Sequence, residues 1–291
     1  MIDLRPLRPG DVLEADEVAH EALSTMAVAH GEPPTPERTS EQVARAHVRV
    51  SHLQRTDPDG AWVAVEADKI VGIALALRRG PLWFLSLLAV ATSAQARGIG
   101  RQLLAAALVT ADGAQAVYLC ASPDPKALRR YALAGFRLQP AYAAGGPLDR
   151  SLLPSGIGVR PGDWTGDGEL VNDVAAALRG VGHGVDLGAL QAVETGLLVA
   201  EAGRDRGFCI YRSGAVICVG ATTAALAQRL LFSGLAEADA STVTVDWLTA
   251  EQQWGIEVAV AARLQLRTGS SLCVRKSLGP MAPYVPSGIY G

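Results

Sequence analysis

The chain has 291 residues, 49% of them hydrophobic and 19% charged, with a formal net charge of −3 and a pI near 6.0. That length exceeds one typical hydrophobic core and fits two domains, and the apolar fraction fits a packed globule rather than a disordered chain. The weak acidic balance, with no basic run and no basic–aromatic stretch, argues against nucleic acid or an anionic membrane as the main partner.

The opening Met1-Ile-Asp-Leu-Arg-Pro lacks the apolar core of a signal peptide, and no apolar run is long enough to span a bilayer, so a cytoplasmic location is expected. Cys120, Cys209, Cys218 and Cys273 form no C-x-x-C pair. Three of them lie in apolar, strand-like stretches, as small core residues of a reducing compartment do. His20, His30, His47, His52 and His183 show no metal-ligand spacing with cysteine, so no metal site is expected.

In chain order, residues 2–7 read as a strand, and Asp11 is placed to cap a helix over 12–29. A Pro-rich break at 31–36 separates it from a second helix, opening on Thr39 or Ser40 and running to about residue 53, with Val43, Ala46, Val50 and Leu53 at helical spacing. Asp57-Pro-Asp-Gly60 is a turn. Residues 62–66 and 70–77 read as a hairpin around 67–69. The almost wholly apolar stretch 81–90 reads as a central strand buried on both faces. A helix over 98–110, a strand over 116–121, a helix over 125–134 closed by Gly135, and a strand over 136–142 follow.

The loop between the strand at 81–90 and the next helix carries Gln95-x-x-Gly98-x-Gly100-Arg101. Glycine permits close backbone approach and positive φ. The first N–H groups of the helix have no partner within it, and together they make a site for a diphosphate. Arg97 and Arg101 add positive charge at the rim. A dinucleotide fold would need G-x-G-x-x-G near the N-terminus, and a nucleoside triphosphatase would need Gly-Lys-Ser/Thr; neither is present.

This loop resembles the diphosphate loop of the GNAT superfamily of acyl-CoA-dependent N-acetyltransferases, Gln/Arg-x-x-Gly-x-Gly/Ala after a strand ending apolar-x-Val. Leu88, Ala89 and Val90 supply that ending. A second block, Asp124-x-x-Ala127-x-x-x-Tyr131-x-x-x-Gly135-Phe136, resembles the family's Asn-x-x-Ala-x-x-x-Tyr-x-x-x-Gly-Phe. The order of elements is also that of the GNAT fold.

The resemblance implies acetyl-CoA as cofactor, with its diphosphate on Gln95, Ala96, Arg97, Gly98, Ile99, Gly100 and Arg101 and its pantetheine arm along Leu88, Ala89 and Val90. It implies Tyr131 as the general acid for the leaving thiolate, a role a phenol of pKa about 10 can fill. Asp124, where many members have Asn, is read as a helix cap. The family's frequent strand glutamate has no counterpart in 82–90. Ser86 is the candidate to hold a proton-relaying water, and His20, Glu21 and His30 border the acceptor pocket of the fold.

Residues 143–156 read as a Gly/Pro linker, after which the pattern of the first half returns in weaker form. Residues 157–160 followed by Pro-Gly-Asp echo the start of the chain. Helices are expected over 168–178, 224–237 and 250–262, and strands near 196–200, 208–211, 216–219 and 243–247. A slide of about 127 residues sets Leu103-Leu104 on Leu230-Leu231, but Gly98 and Gly100 on Ala225 and Ala227, and Tyr131 on Val258 or Ala259.

The expected class is therefore α/β with mixed sheets (α+β in character): two tandem GNAT-like domains, each a twisted mixed sheet flanked by helices. Residues 1–142 form the acetyl-CoA-binding domain, 143–156 the linker, and 157–291 a degenerate copy with a tail. The degenerate copy is left to a structural role or to walling the acceptor pocket.

The expected partner is a small-molecule amine, with no nucleic acid or membrane, in a monomer or homodimer. The alternatives are a CoA-binding sensor with little turnover and a non-catalytic interaction module; the intact glycine loop disfavours the latter. The tail 283–291, with two Pro and two Tyr, reads as an edge strand or a strap tying the halves together, or as an arm that brings Tyr290 or the Gly291 carboxylate to the substrate.

Overall fold

Elements of the first half form where apolar spacing and end signals agree. In the computed structural model, β1 (Ile2–Pro6) leads to α1 (Val12–Ala29) and α2 (Ser40–Thr56). α2 opens on a capping box: Thr39 Oγ1 accepts the Gln42 N–H and Gln42 Oε1 accepts the Thr39 N–H. β2 (Ala61–Glu66) and β3 (Lys69–Arg79) form a hairpin whose turn holds Ala67 and Asp68 at φ 48° and 61°, the handedness that matches strand twist. β4 (Leu82–Val90), α3 (Ile99–Leu108), β5 (Ala116–Ala121), α4 (Pro125–Leu133) and β6 (Arg137–Pro147) complete this half. The structure describes residues 2–31, 37–154, 158–193, 196–277 and 279–291; most of the expected Pro-rich break at 31–36, and residues 155–157 at the expected linker end and strand start, lie outside them.

Two local expectations are corrected. The Asp11 side chain does not cap α1; it accepts the Arg8 N–H at 2.7 Å and the Arg5 guanidinium at 2.6 and 3.0 Å, tying the helix entry to β1. β6 runs on to Pro147, so residues 143–147, expected as linker, are paired strand. Gly145 is small because the neighbouring strand is close: a Cβ there would sit 3.1 Å from Thr244 Cγ2 and from Val243 O.

The second half repeats the order: β7 (Val159–Pro161), α5 (Gly168–Arg179), α6 (Asp186–Val193), β8 (Gly196–Ala202), β9 (Asp205–Arg212), β10 (Ala215–Ala221), α7 (Ala224–Glu237), β11 (Thr242–Leu248), α8 (Gln253–Ala261) and β12 (Gln265–Lys276). A short β13 (Tyr284–Val285) pairs with β10.

The thirteen strands of the described residues join one mixed sheet, ordered β1-β2-β3-β4-β5-β12-β6-β11-β10-β9-β8-β7, with β13 beside β10. The final strands are exchanged. β12 inserts between β5 and β6, pairing Leu272 with Cys120 and with Gln139. β6 in turn lies between β12 and β11, pairing Ala144 with Val245. Neither half has a complete sheet without the other.

Buried polar contacts reinforce this seam. Asp186 on α6 is fully buried and accepts His52 Nε2 at 2.8 Å, Arg79 Nε at 2.8 Å and Arg79 Nη2 at 2.5 Å. Arg79 also donates to both Asp57 oxygens, at 2.9 and 3.0 Å. The tail straps over the seam. The fully buried Arg179 donates to the carbonyl oxygens of Val181, Gly182, Tyr290 and Gly291, and the Tyr284 hydroxyl also donates to Gly291 O. The Tyr290 ring meets His52 edge-on, with centroids 5.5 Å apart.

Burial pushes the Asp186 carboxyl up, but hydrogen bonds and charge from His52 and Arg79 outweigh it and hold the group below the usual carboxylate range. A lowered folded-state pKa contributes stability above the unfolded value and loses it as acid protonates the group. Asp186→Asn is therefore expected to cost about 1–3 kcal/mol near neutral pH, because Arg79 loses one of its two buried carboxylates, keeping Asp57, and His52 loses a charged hydrogen-bond partner. The gap to wild type should close as pH falls below the usual carboxylate range, read as melting midpoints of both proteins across acid pH.

Candidate active site

β4 and β5 pair in parallel only from Leu82–Ala116 to Leu85–Leu119. Beyond that, β4 continues against β3 and β5 against β12. The register of β4 on β3 shifts between Leu87 and Leu85, leaving Ser86 as the extra residue of a bulge. The two strands therefore splay at Ser86, exposing the β5-facing backbone edge of β4 in a cleft. Two side chains pin this edge: Gln95 Nε2 donates to Val90 O at 3.2 Å, and Arg49 donates from Nε to Ser86 Oγ at 2.9 Å and from Nη2 to Ser86 O.

The 91–98 loop turns from the splayed strand into α3. Ala96 and Gly98 take φ of 63° and 84°, so the first is a strained non-glycine position and the second favours glycine. The backbone N–H groups of residues 96–100 donate to no protein acceptor among the described residues. Free donors at a helix N-terminus are an anion site. A cavity of about 410 Å³ takes in Leu88, Ala89, Val90 and the expected loop residues Gln95, Ala96, Gly98, Ile99 and Gly100.

Arg97 and Arg101 do not line this cavity. Arg97 is turned to Glu66 in a two-pronged ion pair at 2.6 and 2.7 Å, and Arg101 is exposed. The positive charge comes instead from Lys126, Arg129 and Arg130 of α4. The Arg130 guanidinium lies over Gly100, where a Cβ would be 3.1 Å from its Cζ. The sequence carries this signal as three basic residues in the helix that bears Tyr131. Asp124 caps α4 by accepting the Lys126 N–H at 3.0 Å, as expected.

Tyr131 is 6% exposed, lines the same cavity and rests edge-on against Phe136 with centroids 6.2 Å apart. Its hydroxyl has no hydrogen-bond partner among the described residues. Burial pushes its pKa well above the usual value, so the phenol keeps its proton at neutral pH.

The second half lacks both parts. Only Thr222 and Thr223 separate β10 from α7, so Thr223 stands at the cap position that Gly98 holds, rather than Ala225 as the slide suggested. The helix-closing bond from Phe136 N–H to Tyr131 O recurs as Leu264 N–H to Ala259 O, which places Ala259 opposite Tyr131.

A larger cavity, about 800 Å³, opens between the halves. His20, Arg49 and Leu87 line it from the first half, and Ile217, Asp246 and Trp247 from the second. Leu23 lines both cavities, so they adjoin across β4. Of the residues expected to border the acceptor pocket, His20 faces the larger cavity, whereas Glu21 and His30 are exposed and line neither. Ser86 also lines neither; its hydroxyl accepts from Arg49. The tail reaches this cavity through Gly288 and Ile289, while Tyr290 and Gly291 are buried at the seam.

Sequence reasoning passed over Asp246. It sits where β11 bulges against β6, between Val245 and Leu248, next to Trp247 at φ 65°. A bulge beside a bulky residue in the left-handed region re-aims side chains and marks functional sites. Burial raises the Asp246 carboxyl above its ordinary pKa, with Arg267 and Arg212 pulling it back. Among the described residues no acidic, His or Cys cluster could hold a metal ion, and no helix is long and apolar enough to cross a membrane.

Known proteins share this fold. The Acetyltransferase (GNAT) family matches residues 23–136, which include the loop and the Tyr131 block. No curated protein matches the chain. A proposed acetyltransferase from Pyrococcus horikoshii is 17% identical, with a TM-score of 0.74 over 99% of this chain and 92% of that one. A tandem GNAT protein from the clavulanic acid biosynthesis pathway is 16% identical, with a TM-score of 0.59 over 96% of this chain and 99% of that one. A GCN5-related N-acetyltransferase from Kribbella flavida is 16% identical, with a TM-score of 0.58 over 94% of this chain and 70% of that one.

Gly98→Glu tests the cradle. Its φ of 84° strains any other L residue, and the new carboxylate repels an anion at the free N–H groups. Saturating acetyl-CoA should raise the melting midpoint of wild type, since a ligand of the folded state stabilises by RT ln(1 + [L]/Kd), and should leave the variant's midpoint where it was.

Proposed function

We propose that this chain, whose residues 23–136 form a GNAT-family acetyltransferase domain within a tandem GNAT fold, moves the acetyl group of acetyl-CoA to a primary amine of a small molecule by direct attack. One observation carries this reading: the free N–H groups of the 96–100 turn, the exposed edge of β4 and the protonated Tyr131 all border one cavity.

The residues present fit the cofactor. The turn after β4 offers donors to a diphosphate, with Lys126 and Arg130 adding charge. Leu88 and Val90 lie on the strand edge that β5 leaves unpaired, where an extended amide-bearing arm can add as a strand would. Bound there, acetyl-CoA supplies the thioester carbon that the amine attacks. A backbone N–H of the splayed strand polarises the carbonyl oxygen. Tyr131 holds a proton at its hydroxyl and gives it to the leaving sulfur. The acceptor enters through the larger cavity, which adjoins the cradle at Leu23.

Tyr131→Phe separates the acid role from packing, because the ring and its contact with Phe136 survive. Release of CoA in the presence of an amine panel should fall about a hundredfold or more, with the acetyl-CoA melting shift unchanged. Undiminished turnover by the variant would remove Tyr131 from the reaction, and no release by wild type that binds acetyl-CoA would count against transfer.

A further inference from the structure

The larger cavity carries an uneven set of charges. Asp16 is neutralised by Arg38 at 2.7 Å, with His47 at 3.6 Å, and Arg45 pairs with Glu41 at 3.0 Å. Arg49 has no carboxylate within ion-pairing distance among the described residues. Its Nε–H and one of the two Nη2 hydrogens are spent on Ser86, and its Nη1 has no protein acceptor among them. Burial pulls its pKa down to about 10, partly offset by Tyr290 and Asp16. A part-buried guanidinium without a counter-charge is costly unless an anion joins it. Its outer Nη1–Nη2 edge can grip the two oxygens of a carboxylate.

The opposite wall carries the complementary group. Asp246 of β11 enters the cavity from the second half, aimed by the bulge at Trp247. The charged and titratable groups around it are Arg212 on β9, which lines the same cavity, Arg267 on β12 and Cys120 on β5, with His20 across the cavity on α1.

We propose that the acceptor is an amine that also carries a carboxylate, an amino-acid-like zwitterion, with the carboxylate on Arg49 of the first half and the ammonium received by Asp246 of the second. This rests on the acetyl-transfer reading and names the substrate class of the same site. Asp246 takes one proton from the ammonium, and the freed lone pair forms the C–N bond to the thioester carbon. The C–S bond breaks, and the sulfur takes the Tyr131 proton. The second nitrogen proton returns through water to the Tyr131 phenolate, and Asp246 releases its proton to solvent. Burial keeps the Asp246 pKa above the ordinary carboxylate value, which strengthens it as a base. The degenerate half thus supplies the base that β4 lacks.

The test measures CoA release by the full chain from acetyl-CoA with L-amino acids, their amides and alkylamines of matched size. Amino acids should be used at least about tenfold better in kcat/KM than the matched amides, the worth of one charge-assisted contact. Arg49→Gln should abolish that preference through KM, and Arg49→Lys should keep part of it. Asp246→Asn should lower kcat about a hundredfold or more and remove the acid-side limb of the pH profile, Asp246→Glu should restore part of the rate, and His20→Gln should keep the limb.

The acetyl-CoA melting shift of each variant shows that it is folded and loaded. Equal use of amides and acids, a preference that survives Arg49→Gln, or an acid limb that survives Asp246→Asn would overturn the proposal. So would a panel in which no amine is acetylated by protein that binds acetyl-CoA. Failure of wild type to bind acetyl-CoA would overturn the acetyl-transfer reading itself.

Discussion

The exchange of β6 and β12 is the constraint on which the rest of the molecule depends. Each strand fills the place beside the other half's penultimate strand, so the ladders that close one sheet are built from the other half's backbone. A backbone donor left without its partner in a buried sheet costs as much as a lost hydrogen bond, which makes the exchange obligatory rather than decorative. It also forbids hinge motion between the halves, because the central strands β5, β12, β6 and β11 are continuous across the seam. The ion network around Asp186 and the strap around Arg179 sit on the same seam and tighten a junction that the sheet has already fixed.

A rigid seam gives the two copies unequal work. Copy-for-copy, α7 and α8 match α3 and α4, but the long loop before α3 has shrunk to two threonines before α7, and Tyr131 is matched by Ala259. Among the described residues, the open glycine turn and the cavity-lining tyrosine therefore occur in the first copy and not in the second. The second copy kept its core and turned β10, β11 and the tail toward the first copy's cleft. In a single-domain protein the face of β11 bearing Thr244 and Asp246 would meet solvent; here it is the wall of a cavity.

The cleft itself follows from how β4 ends. A bulge at Ser86 coincides with the loss of pairing to β5, and Arg49 and Gln95 satisfy carbonyls that the departing strand leaves behind. The site is thus preorganised by side chains that need not touch the reacting atoms. Arg49 serves twice, as a clamp on the bulge and as a cation of the adjoining cavity with no carboxylate in ion-pairing distance among the described residues.

The local pieces are legible in the order of residues alone. Apolar spacing delimited α1 and β5, although the Asp11 side chain ties the helix entry to β1 instead of capping it, and the 95–101 turn and the Tyr131 block were visible as local patterns because each lies within one or two adjacent elements. Tertiary structure alone decided which charges reach that loop. Arg97 and Arg101 stand beside it in sequence but turn away, and Arg130 arrives from a helix further along. It also decided that 143–147 is strand, since glycine in a close-packed ladder and glycine in a hinge look alike in one dimension. The place of Asp246 was illegible for the same reason: alternation marks it as outward-facing, and only the exchanged strands, by pairing residues far apart in the chain, make that outward face the wall of a cavity.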